Sequence, residues 1–449
     1  MAAPALLFSG SAAKADVLFR EVRVIDPRER IDGPHDVRLR GGLIAELAAA
    51  GSLSAQNGEE VVEGDGRHHL APAFFDPHVH LRTPGQEHKE DLETGTRAAA
   101  AGGFAGLIAM PNTDPVIDSA PLLRSLREAA SREARVPVGF LPAITRSLRG
   151  EELTEMAELR AEGALGFTDD GRPVMSARVM RSALRYQELC GGVLALHEED
   201  LTLSHGGVMH EGAVSAALGL GGIPGVSESS MVRRDIALAA DEGGRLHLQH
   251  LSVADSVLAV EEAKARGVAV SAEVTPHHLM LTEADVRGLD TAFKVNPPLA
   301  REEDRRALIE GLRSGVIDCV ATDHAPHARE EKEVPFEQAA MGTTGLETAF
   351  AALYSGLVAS GLLGLPQLIE RMTAGAGLFG LPVARIAAGE PANLALLDLE
   401  ASWVPGEQGW ESRSQNSSFA GRRLQGRTLM TVAAGTVAYR ERAFSVVGV

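Results

Sequence analysis

Two histidines separated by one residue, His78 and His80 in "DPHVHLRTPG", are the first residues in the chain suited to chemistry. On an extended strand, side chains alternate, so both imidazoles share a face and Val79 points away. Two imidazoles on one strand end can share one cation. Three further candidates close apolar runs of the same kind: His197 in "ALHEED", His250 in "LQHLS" and Asp323 in "ATDHAPH". Imidazoles with a carboxylate suit zinc better than magnesium or calcium, which prefer oxygen shells.

The stretch "GFTDDG" places two carboxylates side by side. Burying either is costly without a compensating partner. Leu165 and Phe167 alternate with Ala164, Gly166 and Thr168, and the bulky pair is expected to pack outward. Asp170 then shares the inward parity, and Asp169 is assigned to a turn or helix cap. Parity also sets His247 against His250, making His247 structural or outward, and His324 against Asp323. His277 and His278 are expected to pack or hydrogen-bond. His68, His69, His88, His205 and His210 fall in loop-like contexts and are expected to be solvated.

Positioning these residues requires strands that end on one rim. From "APAFFDPHVH" to "VIDCVATDH", strand-like runs alternate with helix-like ones over about 250 residues, giving eight strand–helix units. The pattern predicts an α/β fold, a (β/α)8 TIM-like barrel spanning 71–386, with its site at the C-terminal strand ends. Residues 1–70 and 387–449 read as β-like with turns between, and are expected to form one small β-sandwich-like domain from both chain ends. The Gly-rich "GLGGIPG" lacks a phosphate-loop ending and reads as a flexible loop. The start, "MAAPALLFSGSAAKAD", lacks a basic segment and reads as a loose tail rather than a signal peptide.

Composition narrows the function classes. The net charge of −18 argues against general binding to nucleic acid or an anionic membrane. No run approaches the roughly 18 apolar residues of a membrane-spanning helix. Two cysteines, Cys190 and Cys319, form no CxxC pair, which removes a thiolate zinc site. Their apolar contexts suit buried thiols in a reducing, cytoplasmic compartment.

Taken in order, "DPHVHLRTPG", "MPNT", "FTDDG", "HEED", "EVTPHHL", "NPPL", "ATDHAPH" and "GLET" resemble the motifs of type I dihydroorotases, in the cyclic amidohydrolase group of the amidohydrolase superfamily. The resemblance runs from about residue 16 nearly to the end, including the closing "NSSFAGRRLQGRTLMTVAAGTVAYR". It implies one or two zinc ions: one on His78, His80 and Asp323, a second on His197 and His250, with Asp170 bridging. Most relatives carry a carbamylated lysine at that bridge, and the type I branch carries aspartate. It further implies that Arg82 and Asn112 hold the carboxylate of dihydroorotate beside His80, with Asn296 and His327 as further substrate contacts. Met341 and Gly342 occupy substrate-side positions, in "AMGTTGLE" where relatives often have a "PFG"-like segment.

The activity so implied is hydrolysis of a cyclic amide, with Asp323 as the catalytic proton carrier, interconverting N-carbamoyl-L-aspartate and dihydroorotate in pyrimidine biosynthesis. A hydantoinase or allantoinase is the nearest alternative, which Asp170 and the Arg82–Asn112 pair disfavour. An inactive scaffold for aspartate transcarbamoylase is a more distant one, since every ligand position is filled. The resemblance also implies a homodimer or an assembly with aspartate transcarbamoylase as partner.

Overall fold

The structure, a computed structural model, describes residues 6–442, 444, 447 and 448. Its centre is a ring of eight parallel strands: Phe74–Val79, Phe104–Ala109, Val138–Phe140, Phe167–Thr168, Leu194–Leu196, Leu246–Leu248, Val270–Val274 and Cys319–Val320. The pairing is sequential, and two joints complete the circuit. Leu165 N–H donates to Phe140 O at 3.1 Å, and His80 N–H donates to His324 O at 2.9 Å. Strands such as "FFDPHV" and "FAGLIA" are buried at every position, as expected where helices cover the outside of a parallel sheet.

The intervening helices carry their own start signals. The helix Leu92–Ala101 begins at Asp91, whose side chain accepts the Thr94 N–H at 2.8 Å, while Thr94 reaches back to the Asp91 N–H. In the helix Ala177–Cys190, Ser176 plays the corresponding role. The buried faces of these helices join the ring strands in one large apolar cluster containing Phe74, Phe104, Phe167, Leu184 and Leu248.

Both chain ends meet in a second sheet of nine strands among the described residues. Its order is 436–440, 424–433, 394–403, 69–72, 17–26, 31–40 and 43–49, with 60–63 branching from 17–26 and 447–448 pairing with 60–63. Leu394–Leu397 pairs antiparallel with His69–Pro72, which joins the late strands to the early ones. Val17, Phe19, Leu39, Leu394 and Val432 form the core of this sheet.

Several local expectations are corrected. The N-terminal segment is not a loose tail from residue 6 onward: Phe8 exchanges both backbone hydrogen bonds with Val138, at 2.9 and 2.8 Å, and the Arg127 guanidinium lies 4.6 Å from the Phe8 ring. Residues 1–5 lie outside the described residues. Within "GLGGIPG", Gly222–Ile223 pairs with Met209–His210, so the loop is tied rather than free. His210 and His68 are buried, His68 against the Phe444 ring, whereas His88 and His205 are exposed as expected. Cys319 is buried, but Cys190, at a helix end, is only half-buried. Among the described residues no helix is long and apolar enough to cross a membrane.

Candidate active site

The residues singled out in the sequence converge where the ring strands end. A cavity of about 260 Å³ is lined by His80, Arg82, Asn112, Asp170, His197, His250, Asn296, Asp323, His327, Met341 and Gly342. His78 lies just beneath, fully buried. Every residue expected to bind metal or substrate is therefore in or directly under one cavity.

Asp170 sits among the imidazoles. Its Oδ1 lies 3.5 Å from His78 Nε2, 3.6 Å from His250 Nε2 and 3.9 Å from His197 Nδ1, and its Oδ2 is 3.5 Å from His80 Nε2. Asp323 meets the same two imidazoles, with Oδ1 3.0 Å from His80 Nε2 and 3.6 Å from His78 Nε2. Of three sets of side chains among the described residues that could each hold a metal ion, two meet at this cavity: His78, His80 and Asp323, and His78, Asp170 and His250. His197 stands outside these sets but close by, with Nδ1 2.9 Å from His250 Nε2. His78 Nε2 and His250 Nδ1 are buried without a hydrogen-bond partner. Burying an imidazole nitrogen without a partner is costly, and a cation beside His78 Nε2 would relieve that cost.

The electrostatics follow from this crowding. Burial alone would raise the carboxyl groups, but His78, His250 and His80 hold Asp170 well below its ordinary value. The same burial is outweighed at Asp323 by His80 and His78, so its carboxyl is also held low. Burial depresses His78, yet Asp170 and Glu273 hold it well above its ordinary value. Two ionised carboxylates thus face a cluster of imidazoles, a donor set suited to a cation.

The backbone turns sharply where these residues are presented. Arg82, His250 and Asp323 have φ of 58°, 33° and 45°, in the left-handed region that non-glycine residues rarely adopt. His247 is structural, one of the two readings given to it, and the turn at His250 explains why it is not outward. With the strand bent after Leu248, residues three apart both point into the ring. His247 is wholly buried, with Nε2 2.9 Å from Glu273 Oε2 and Nδ1 2.9 Å from Ser271 Oγ. His324 does turn away from Asp323, toward Glu90 at 3.3 Å. His278 hydrogen-bonds Thr275 and Pro297 O, as expected of a structural histidine.

The two carboxylates of "GFTDDG" part company. Asp169 closes a turn, with its carbonyl accepting the Arg172 N–H at 2.9 Å. Its side chain is buried and accepts the Thr145 N–H at 2.9 Å and the Thr145 hydroxyl, which anchors the neighbouring loop. Burial pushes its carboxyl up to about 6 against those bonds.

Glu199 was not singled out in the sequence. Glu199 Oε2 lies 2.9 Å from His197 Nε2 and accepts the Asn296 Nδ2 hydrogen at 2.9 Å. Although burial opposes it, His197 holds the Glu199 carboxyl down at about 2. Glu199 follows His197 by two residues in "HEED", a spacing that could have flagged it. Asn112 Oδ1 lies 2.8 Å from His80 Nδ1. On the far wall, Arg82 Nε donates to Pro326 O at 3.1 Å, and His327 Nε2 lies 2.9 Å from Met341 O. The Gly342 N–H already donates to Lys294 O at 2.8 Å.

Known proteins resemble this chain in sequence and in fold. The family model described as "Dihydro-orotase-like" matches residues 67–256. The dihydroorotase of Anaeromyxobacter sp. (strain K) is 49% identical over 434 residues, covering 95% of this chain and 99% of that protein. The dihydroorotase of Pelotomaculum thermopropionicum is 44% identical over 427 residues, covering 95% and 99%. Among solved structures, the L-hydantoinase (dihydropyrimidinase) from Arthrobacter aurescens superposes with a TM-score of 0.84 at 24% identity, covering 96% of this chain and 98% of that one. That likeness shows a shared mixed α/β fold. Identity of this size over nearly the whole length, around a complete constellation of histidines and aspartates, places the chain in the dihydroorotase family of the amidohydrolase superfamily.

Proposed function

We propose that the chain is a zinc-dependent cyclic amide hydrolase that interconverts N-carbamoyl-L-aspartate and L-dihydroorotate, working in the cytoplasm in pyrimidine biosynthesis. The observation that carries the reading is the convergence of His78, His80, Asp170, His250 and Asp323 beside Arg82, Asn112 and Asn296 around one cavity, in a chain of this family. In this reading the ring is a (β/α)8 barrel spanning 71–386, and the chain ends 1–70 and 387–449 make a β-sandwich-like domain.

Zinc fits the donors present, which are imidazoles and carboxylates with an unpartnered His78 Nε2 among them. His78, His80 and Asp323 would hold one ion, and His197 and His250 a second, with Asp170 between them. When bound, zinc supplies Lewis acidity, acidifying water toward neutral pH and polarising a carbonyl. Asp323, held ionised by His80 and His78, takes the proton from the attacking water and delivers it to the departing ring nitrogen. Arg82 offers a planar, charged donor fork to the substrate carboxylate, and Asn112 supports it. Asn296, His327 and the Met341–Gly342 backbone enclose the ring and fix its orientation, which supplies proximity at little further entropic cost.

The test is metal removal with a chelator, reconstitution with zinc, and assay of ring opening on dihydroorotate, hydantoin and allantoin. Activity restored by zinc and confined to dihydroorotate is the expected result. Equal turnover of hydantoin, or no activity with zinc bound, would overturn it. The same reading carries a homodimer or an assembly with aspartate transcarbamoylase, which sedimentation of the co-purified proteins would test.

A further inference from the structure

The connection between the end-sheet strands Leu394–Trp403 and Leu424–Ala433 leaves its own sheet and crosses to the ring. It is fixed on arrival. Glu347 accepts the Glu411 and Ser412 N–H groups, both at 3.0 Å. Glu90 accepts the Arg413 N–H at 3.1 Å and the Ser412 hydroxyl. Ser414 Oγ donates to Lys89 O at 2.6 Å.

Asn416 is the point where this segment reaches the substrate side of the site. Its side chain is buried, and its polar ends are all engaged. Oδ1 accepts the His327 N–H at 3.0 Å, while Nδ2 donates to Ala325 O and to Gly342 O, both at 3.1 Å. Its own carbonyl accepts the Thr344 N–H at 3.2 Å and the Thr343 hydroxyl at 3.0 Å. One amide thereby ties the loop presenting His327 to the loop presenting Gly342, although Asn416 does not itself line the cavity. Only an amide does this, because the position needs an acceptor and two donor hydrogens at once. Aspartate, of the same size, keeps the acceptor but turns an anionic oxygen toward two carbonyls.

We propose that Asn416 is a positioning residue for substrate binding, setting the separation of His327 from Met341–Gly342 and hence the fit of the substrate. This rests on the reading of those residues as substrate contacts. The role touches neither the metal-binding side chains nor Asp323, so it is distinguishable from general damage. A displacement of about 1 Å at a positioned contact is enough to cost one to two orders of magnitude.

The experiment compares Asn416→Ala and Asn416→Asp in the full-length, zinc-loaded protein, with Arg413→Ala as a control that keeps the segment's backbone bonds. For dihydroorotate, KM is expected to rise about tenfold or more in both variants, with kcat within about threefold and zinc content unchanged. The control should match the parent. If the alanine variant folds poorly, the isosteric aspartate variant decides. Unchanged KM in a folded variant, or a fall in kcat with loss of zinc, would overturn the proposal while leaving the parent activity intact. A zinc-loaded parent with no activity on dihydroorotate would overturn both this role and the functional reading beneath it.

Discussion

Glu273 Oε1 lies 2.7 Å from His78 Nδ1, inside the ring and shut off from water. Its other oxygen, Oε2, lies 2.9 Å from His247 Nε2. Burial works against an ionised Glu273, yet His78 and His247 hold its carboxyl down at about 2. The arrangement directs the His78 Nδ1–H as donor to the Glu273 carboxylate and leaves Nε2 for the cavity. Glu273→Gln is expected to weaken metal binding by about 10- to 100-fold, read by competition against a chromophoric chelator. Unchanged affinity would show that the His78 ring is oriented by other contacts.

The adjacent aspartates give a paired prediction. Asp170→Ala removes the carboxylate between the imidazoles and is expected to abolish most metal binding and activity. Asp169→Ala instead leaves the Thr145 N–H and hydroxyl without their acceptor. It should cost about 1–3 kcal/mol of stability and retain metal. Metal content and denaturant unfolding of both variants decide the matter, and the reverse ranking would sink the assignment.

Gly342 has φ of 143°, and a Cβ there would lie 2.8 Å from Ala325 Cβ and 3.0 Å from both Ala325 O and His327 Cδ2. Two of those atoms cannot swing aside as the end of a flexible chain could. Gly342→Ala should therefore displace His327 and lower kcat/KM by at least about tenfold, with metal content preserved. Steady-state kinetics beside metal analysis would check it, and a fully active variant would refute it.

The Glu347 carboxyl is pushed up by burial from an ordinary 4.5 to about 7, against the Glu411 and Ser412 N–H groups. The folded protein therefore holds this proton more tightly than the unfolded chain. The stabilisation is fully present below about pH 4.5 and is lost as pH rises through 7. In full it would amount to about 3 kcal/mol, which partial exposure reduces to about 1–2 kcal/mol. From mildly acid to alkaline pH, the thermal midpoint should fall more steeply for the parent than for Glu347→Gln. Parallel profiles would contradict the assignment.

Much of the site was legible in the sequence because a strand's alternation and its end are local properties. His78, His80, His197, His250 and Asp323 each close an apolar run, and these ends meet on one rim. Asp170 was separated from Asp169 by the same parity. Alternation fails once the backbone leaves the extended region: with His250 at a positive φ, the opposed parity of His247 and His250 does not hold, although His247 is structural. Glu273 and Asn416 depend on contacts 195 and 89 residues away, to His78 and His327, which no local pattern encodes. The packing of His68 likewise depends on a distant residue, Phe444.

The joining of Leu394–Leu397 to His69–Pro72 has a consequence for the order of assembly. On the ribosome, all eight ring strands have emerged well before the segment that carries Asn416. At about 5–20 residues per second, the stretch from Asp323 to the strand Leu424–Ala433 takes roughly 5–20 s to make. Until Leu394–Leu397 is made, part-way through that interval, the strand His69–Pro72 lacks this neighbour and presents an open edge. The nascent chain thus passes through a stage in which the histidines can already gather while the substrate wall and one sheet edge are unfinished. Chaperone capture, or premature association between copies, would act at that stage.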